Sequence, residues 1–274
     1  MINRGKDNSL KISIGIISRG RPNYLSALIM NWLSLSQYKE NIQFVVALDD
    51  DDQDSVKAYY DLKPLIKYYG ADSCLLTEHP TGYINLYKRN NQMLPHYTGD
   101  LLLMVCDDQF VFTPAWDKKI SDSVDFVYER QKDASVLVWM CGANNKKPHP
   151  DLYALNRKWL DIAGKYTITA GTDAYVRDVS QDANLSVVKP DVIVYHLQRK
   201  FGHLPIDIIE NHRKPPSFEE DKNLWELKYG EELVKDKAWM ESTRHNDRIY
   251  RFHHDDLGNE YNSIIKKFKD YYGR

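Results

Sequence analysis

The sequence predicts an α/β fold: a mostly parallel sheet flanked by helices, followed by a C-terminal helical appendage. Three observations predict it. Strands and helices alternate as βαβαβαβ over roughly the first 110 residues, which is typical of parallel strands joined by crossover helices. The strands are short apolar runs bounded by Gly and polar residues, as buried strands are. Clusters of acidic residues follow two of these strands.

The first half supplies the regular part of this pattern. Predicted strands lie at 11–17, 43–48, 73–77 and 101–105. Predicted helices lie at 22–35, 55–69 and 83–94. Pro22 suits the start of the first helix, because its ring fixes φ and the first turn needs no N–H donor there. The four strands should therefore form one parallel sheet.

The second half is less regular. Further strands are predicted at 135–140, 191–195 and 206–209, and further helices at 157–163, 173–182 and 261–272. A polar loop is predicted at 142–150. From Phe218 onward the chain is charged and helical, with Trp225, Leu233 and Trp239 as expected packing anchors. We therefore expect a main domain at 1–217, with halves at about 10–117 and 118–217, and an extension at 218–274.

Composition restricts the location and the partners. The 274-residue chain has a net charge of −2, so it lacks a global polyanion-binding signature, although basic pairs remain at 199–200 and 213–214. Its three cysteines, Cys74, Cys106 and Cys141, are odd in number and widely spaced, which favours a reducing compartment. No segment approaches the roughly 20 apolar residues of a membrane span, and residues 1–8 lack the apolar core of a signal peptide. We expect a cytoplasmic protein with no membrane partner.

Two acidic clusters are the most informative candidates for a site. Asp107 and Asp108 follow the strand at 101–105, and 49–52 follows the strand at 43–48. The carboxyl ends of parallel strands meet at one edge of a sheet, where open α/β folds bind ligands. Either cluster alone could be a solvated turn or a helix cap. Together they favour a divalent cation, because adjacent buried carboxylates need a counter-charge and hard oxygen ligands suit Mg²⁺ or Mn²⁺.

Basic residues near the same edge could bind phosphate. Arg19 and Arg21 lie in the turn after the first strand, and guanidinium groups pair well with phosphate. In the helix at 83–94, Arg89 could meet a diphosphate and Asn85 could meet a base. The alternatives are exposed arginines at a turn and an ordinary amphipathic helix. The chain has neither a Walker loop nor a GxGxxG turn.

Four segments follow one another in the order strand-SRGRP, strand-DDDD, GYINLYKRNN and GDLLLMVCDDQFVFTPAWD. In this order of segments the chain resembles the GT-A glycosyltransferases, which have a Rossmann-like sheet. Within them it is similar to the family 2-like proteins of phages and bacteria. The resemblance covers roughly residues 10 to 212 and is most specific around Asp107; 113–117 matches the family's Thr-x-x-Trp-Asp segment. The metal motif departs from Asp-x-Asp, since it is Asp-Asp-Gln here.

The resemblance implies a role for each candidate residue. Asp108 would bind the metal, and Asp107 would contact the ribose or orient its neighbours. The implied donor-binding residues are Ser18, Arg19, Arg21, Asp49, Asp50, Asn85, Arg89 and Asp107. A histidine after a late strand can complete the metal shell, and both His196 and His212 fit, with His203 a weaker third. Spacing does not choose between them.

The resemblance also implies a catalytic base, for which Asp173 fits in inverting members. A helix N-terminal acid that interacts with the macrodipole is the alternative. The implied donor is a nucleotide-diphospho-sugar, with UDP the usual nucleotide of the family, and the implied cofactor is Mn²⁺ or Mg²⁺.

The acceptor is left open between hydroxymethylated pyrimidine in phage DNA, in the host cytoplasm, and a glycan or small carbohydrate. A sugar nucleotidyltransferase is a weaker alternative, because the turn at 18–22 is too short and too poor in Gly for its glycine-rich loop. A binding module without catalysis is weaker still.

Overall fold

The computed structural model describes residues 9–79, 86–142, 150–168, 172–196 and 255–273. The strands in this part are β1 (Ile12–Ser18), β2 (Ile42–Asp49), β3 (Asp72–Glu78), β4 (Leu101–Cys106), β5 (Gln109–Val111), β6 (Val136–Gly142), β7 (Pro150–Asn156), β8 (Ser186–Val188) and β9 (Ile193–His196). The helices are α1 (Pro22–Leu35), α2 (Gln53–Tyr68), α3 (Leu86–Gln92), α4 (Trp116–Tyr128), α5 (Arg157–Ala163), α6 (Thr172–Asp182) and α7 (Asp255–Tyr272). None of the helices described here is long and apolar enough to cross a membrane.

The described strands form one sheet, in the order β3-β2-β1-β4-β7-β6-β9-β5, with β8 beside β6. The prediction of a parallel first half is confirmed, because β1 pairs in parallel with β2 and β4, and β2 pairs in parallel with β3. The register places Ile17 opposite Cys106, and Asp49 opposite Glu78. The ends of β1 to β4 therefore lie at one border of the sheet, which we call the carboxyl edge.

The second half adds antiparallel strands to this sheet. β7 runs antiparallel to β4 and to β6, and β9 runs parallel to β6 but antiparallel to β5. β5, β7, β8 and α4 are not among the elements that the sequence predicts. β5 and β8 have only three residues each, too few for a recognisable apolar run. The β5–β9 pair matters for function, because it sets Gln109 opposite His196.

Two hydrophobic layers cover the faces of the sheet. One contains Trp32 of α1 and Trp116 of α4, whose rings meet edge to face at 4.8 Å between centroids. The other contains Trp159 of α5, Tyr166 and Phe268 of α7. Large apolar side chains are buried on both faces of the sheet. This packing holds the strands whose ends form the carboxyl edge in a rigid frame.

The Thr-x-x-Trp-Asp segment has a structural role in this frame. Asp117 is 2% exposed and accepts hydrogen bonds from the backbone N–H groups of Gln37 and Tyr38, at 2.8 and 2.7 Å. Trp116 donates its indole N–H to the carbonyl of Trp32 at 2.9 Å. The segment therefore fastens α4 to α1 and to the turn that follows it.

Replacing Asp117 with Ala should lower the free energy of unfolding by about 1.5–3 kcal/mol, because the N–H groups of Gln37 and Tyr38 lose a charged hydrogen-bond acceptor. Chemical denaturation measures this. Asp122→Ala is the matched control, because Asp122 lies on the same helix, is exposed, and pairs only with Lys118 one turn away in an ion pair worth little. Equal losses in the two variants would contradict the structural role of Asp117.

The C-terminal helix predicted at 261–272 is present. It is longer than predicted, since α7 begins at Asp255. Tyr261, Ile264 and Phe268 are buried, and the Tyr261 hydroxyl donates to Asp182 of α6 at 2.7 Å. The helix thus packs onto α5 and α6 as part of the second hydrophobic layer. The strand expected at 206–209, the anchors Trp225, Leu233 and Trp239, and the boundary at 217/218 lie outside the described residues, so the domain division stays a prediction.

Candidate active site

The carboxyl edge gathers most of the residues singled out from the sequence. Ser18 ends β1, Asp49 ends β2, Glu78 ends β3, and Asp107 follows β4 directly. Parallel pairing brings the ends of these strands side by side, so residues far apart in the chain become neighbours. The arginines Arg19, Arg21 and Arg89 reach into this group.

Asp107 is held in a fixed orientation at the centre of the edge. It is 6% exposed, and its two oxygens accept from the Ser18 hydroxyl at 2.6 Å and from Arg21 at 2.8 Å. Burial raises the pKa of Asp107, an effect that the Arg21 charge and the Ser18 hydrogen bond oppose. This geometry fits the orienting role considered for Asp107, because both of its oxygens are already engaged.

Asp108 faces a histidine from the other half of the chain. Its Oδ1 lies 3.1 Å from Nε2 of His196, and its Oδ2 lies 3.6 Å from Arg21 Nη1. The approach follows from the β5–β9 register, in which Gln109, the residue after Asp108, stands opposite His196. A carboxylate oxygen and an imidazole nitrogen thus come together at the carboxyl edge, as the resemblance implied for His196.

This pair fits an open metal site and not a closed one. Within the described ranges no group of three or more His, Cys, Asp or Glu side chains is arranged to hold a metal ion. Mg²⁺ is commonly bound by one or two carboxylates with the remaining positions filled by substrate phosphates and water, and an imidazole ligand also suits Mn²⁺. Asp108 and His196 provide such a partial set.

The turn after β1 is tied to the turn after β2. Arg19 donates to Asp49 at 2.5 Å and to both oxygens of Asp51, at 2.6 and 2.8 Å. The Arg19 hydrogen bond lowers the pKa of Asp51. Asp52 accepts from the Gly20 N–H at 2.5 Å and from the Ser55 N–H at 3.3 Å. Asp52 is therefore a cap of α2, which is the alternative considered for the cluster at 49–52.

Arg89 joins the ends of β2 and β3. Its buried guanidinium donates to Asp49 at 2.7 Å and to the Glu78 carbonyl at 3.0 Å, and it pairs with the Glu78 carboxylate at 2.9 Å. Beside it, Asp50 pairs with Nδ1 of His79 at 2.7 Å, and this contact raises the pKa of the exposed His79. His79 is not among the residues predicted from the sequence, although its position directly after the third strand is a signal that points to it.

The carboxyl edge carries an excess of negative charge. Its carboxylates are Asp49, Asp50, Asp51, Asp52, Glu78, Asp107 and Asp108. Its guanidinium groups are those of Arg19, Arg21 and Arg89. With neutral imidazoles, the carboxylates exceed the guanidinium groups by four charges among the described residues. Such a field attracts a divalent cation, and the guanidinium groups that lie at the same edge have the planar form that suits phosphate oxygens.

For some candidate residues the structure gives no placement. Asn85, His203, His212 and the basic pairs at 199–200 and 213–214 lie outside the described residues. Asp173 occupies the second position of α6, as expected for an acid at the start of a helix, and its side chain is likewise outside the described part. The roles of these residues stay predictions.

No protein-family model matches the chain, and a search of curated proteins gives no match. Solved structures do match. A mannosyltransferase, PcManGT from Pyrobaculum calidifontis in complex with GDP-Man and Mn²⁺, is 12% identical with a TM-score of 0.49; the match covers 100% of this chain and 90% of that one. S. aureus TarS 1-349 in complex with UDP-GlcNAc is 12% identical with a TM-score of 0.50; the match covers 96% of this chain and 92% of that one.

The TarS match and the sheet described above agree with the predicted fold class. The chain has the GT-A fold. At 12% identity the likeness establishes the fold and nothing finer, so any activity must be argued from the residues at the carboxyl edge of this GT-A chain.

Proposed function

We propose that the chain is a metal-dependent glycosyltransferase that moves a sugar from a nucleotide-diphospho-sugar to an acceptor hydroxyl. One observation carries the proposal. The Asp108 carboxylate and the His196 imidazole, 3.1 Å apart, stand at the same sheet edge as the Arg19 and Arg21 guanidinium groups. A partial cation site beside phosphate-binding side chains is what a diphosphate leaving group requires.

The donor would lie along the carboxyl edge. Arg19 and Arg21 suit the diphosphate, because the planar guanidinium binds two phosphate oxygens at once. Asp49, Asp50 and Asn85 would contact the ribose and the base. Ser18 and Asp107 would orient Arg21. Arg89 would orient Asp49. UDP is the proposed nucleotide, in line with the UDP-GlcNAc complex of the structurally similar TarS.

Bound Mn²⁺ or Mg²⁺ would act as a Lewis acid that neutralises charge on the departing diphosphate. Asp108 and His196 would hold it. Asp173 would accept the proton of the acceptor hydroxyl. The acceptor oxygen then forms its bond to the anomeric carbon as the bond from that carbon to the diphosphate oxygen breaks. The nucleoside diphosphate leaves, and the proton stays on Asp173.

The proposed acceptor is a hydroxymethylated pyrimidine in DNA, within a host cytoplasm if the chain is phage-encoded. The resemblance to phage proteins and the basic pairs at 199–200 and 213–214 support it. A base inside a duplex must be flipped or otherwise exposed before its hydroxymethyl group can react. A glycan or small carbohydrate is the alternative acceptor.

The donor part of the proposal is tested by isothermal titration with UDP, GDP, ADP and CDP, with and without Mn²⁺. We expect one nucleotide to bind only with the metal, and Asp50→Ala to weaken that binding by removing a contact to the base or ribose. Asp61→Ala, at an exposed ion pair on α2, is the control and should bind as wild type does. If none of the four nucleotides binds, the glycosyltransferase proposal fails.

The acceptor is tested by incubating the protein with labelled UDP-sugars and DNA that contains 5-hydroxymethylcytosine, with unmodified DNA beside it. Label on the hydroxymethylated DNA alone supports the DNA acceptor. DNA binding through basic residues should also fall steeply with salt, because phosphate contacts release counterions. Absence of label together with salt-independent binding would move the proposal to a carbohydrate acceptor.

A further inference from the structure

Helix α3 lies between the carboxyl edge and the segment that leads into α6. On its edge side, the buried Arg89 donates to Asp49 and to the Glu78 carbonyl. Two residues later, Asn91 contacts the chain at Tyr166 and Thr167. Residues two apart on a helix point to nearly opposite sides. The short helix α3 therefore contacts the carboxyl edge through Arg89 and the chain at 166–167 through Asn91.

The Asn91 amide binds this segment in a paired manner. Its oxygen accepts from the backbone N–H groups of Tyr166 and Thr167, at 2.8 and 3.4 Å, and its nitrogen donates to the Thr167 carbonyl at 2.8 Å. Tyr166 and Thr167 are fully buried, so loss of the Asn91 amide would remove hydrogen bonds from backbone groups that lie away from water. Thr167 stands five positions before Thr172, where α6 begins.

We propose that Asn91 is a positioning residue for the transfer reaction: it fixes the chain at 166–167 and thereby the start of α6, which carries Asp173. The inference rests on the proposed function, in which Asp173 is the base. Because Arg89 of the same helix binds Asp49, α3 sets the distance between the donor-binding edge and the base-bearing helix. Asn91 itself contacts neither donor nor acceptor.

A displaced base affects the chemical step more than donor binding. A misplacement of about 1 Å at a reacting group can cost on the order of 100-fold in rate. For Asn91→Ala we therefore expect kcat to fall about 10- to 100-fold while the donor KM stays within about twofold. The assay follows nucleoside diphosphate release from UDP-glucose, UDP-N-acetylglucosamine or GDP-mannose with Mn²⁺, with water as the acceptor.

Two further variants separate positioning from a general loss of structure. Asn91→Asp keeps the two accepted hydrogen bonds but sets a carboxylate oxygen against the Thr167 carbonyl, so its kcat should fall as that of Asn91→Ala does, with the donor KM again within about twofold. Gln92→Ala removes the neighbouring amide, which is exposed on the same helix, and should leave both kcat and KM unchanged. Equal changes of kcat and KM in Asn91→Ala, or a matching loss in Gln92→Ala, would overturn the inference.

Hydrogen exchange measures the positioning without turnover. In Asn91→Ala the amides of 166–168 and 172–180 should exchange faster than in wild type, and those of β4 should not change. Unchanged exchange at 166–180 would overturn the inference whatever the kinetics. If the wild-type protein neither binds nor cleaves any of the three donors, the proposed function fails, and the exchange comparison still decides whether Asn91 holds the start of α6.

Discussion

Asp108→Asn is expected to abolish sugar transfer and metal-dependent nucleotide binding while the fold is retained. The amide keeps the shape of the side chain but removes the negative charge that a divalent cation requires. Changes to groups that merely support a metal ligand typically cost 10- to 100-fold in affinity or activity, so removal of a ligand charge should cost at least about 100-fold. Titration of the nucleotide with and without Mn²⁺ measures it.

Comparison variants make this expectation specific. Asp61→Asn removes an exposed carboxylate on α2 and should behave as wild type does. His196→Ala should weaken metal-dependent binding, since His196 is the histidine that stands beside Asp108, whereas His212→Ala serves as the test of the other candidate. Wild-type transfer in excess chelator, or full activity in Asp108→Asn, would contradict the metal role.

The parallel half of the fold could be predicted from the sequence for a physical reason. Strands buried on both faces are uninterrupted apolar runs, and their lengths and the acids that end them are local features. The gathering of Ser18, Asp49 and Asp107 at one edge then follows from parallel pairing alone. The main candidate residues of the first half can therefore be predicted from the sequence.

The second half could not be predicted in the same way, because its pairing is long-range. The three-residue β5 has no local signal, yet its register with β9 places His196, one of the two histidines between which spacing does not choose, beside Asp108. Nor does the sequence show that the candidate donor-binding residues pair with one another, as Arg19 does with Asp49 and Arg21 with Asp107. Side-chain partners across 30 or more positions are set by the fold, not by spacing.

To bind these arginines, the phosphates of the donor must compete with the carboxylates that already pair with them. The two terminal nitrogens of Arg19, Nη1 and Nη2, are both engaged by Asp51, at 2.6 and 2.8 Å. The pair with Asp51 is exposed, so its net contribution to stability is small and a diphosphate can displace Asp51 at little cost, while Arg19 keeps its contact with the less exposed Asp49. Arg21 is held by the buried Asp107, which fixes the orientation in which it would meet the diphosphate, and Arg89 orients Asp49.

Asp173→Asn is expected to lower transfer by about 100- to 10,000-fold, the range that a general base contributes, with donor binding unchanged. The reason is that a base acts on the acceptor hydroxyl and not on the diphosphate. Asn is nearly isosteric with Asp, so the loss would report proton acceptance. Asp161→Asn, at an exposed position on α5, is the control.

The alternative role of Asp173 makes a different prediction. An acid in the first turn of α6 that only interacts with the helix dipole contributes about 0.3–1 kcal/mol of stability, so its loss would lower the melting temperature slightly and leave kcat intact. Persisting transfer would turn attention to Asp178 or Asp182. However, Asp178 is 2% exposed and accepts from Arg177, and Asp182 accepts from Tyr261. Neither is as well suited to take a proton from an acceptor, so near-wild-type transfer in Asp173→Asn would instead indicate retention of configuration, which needs no such base.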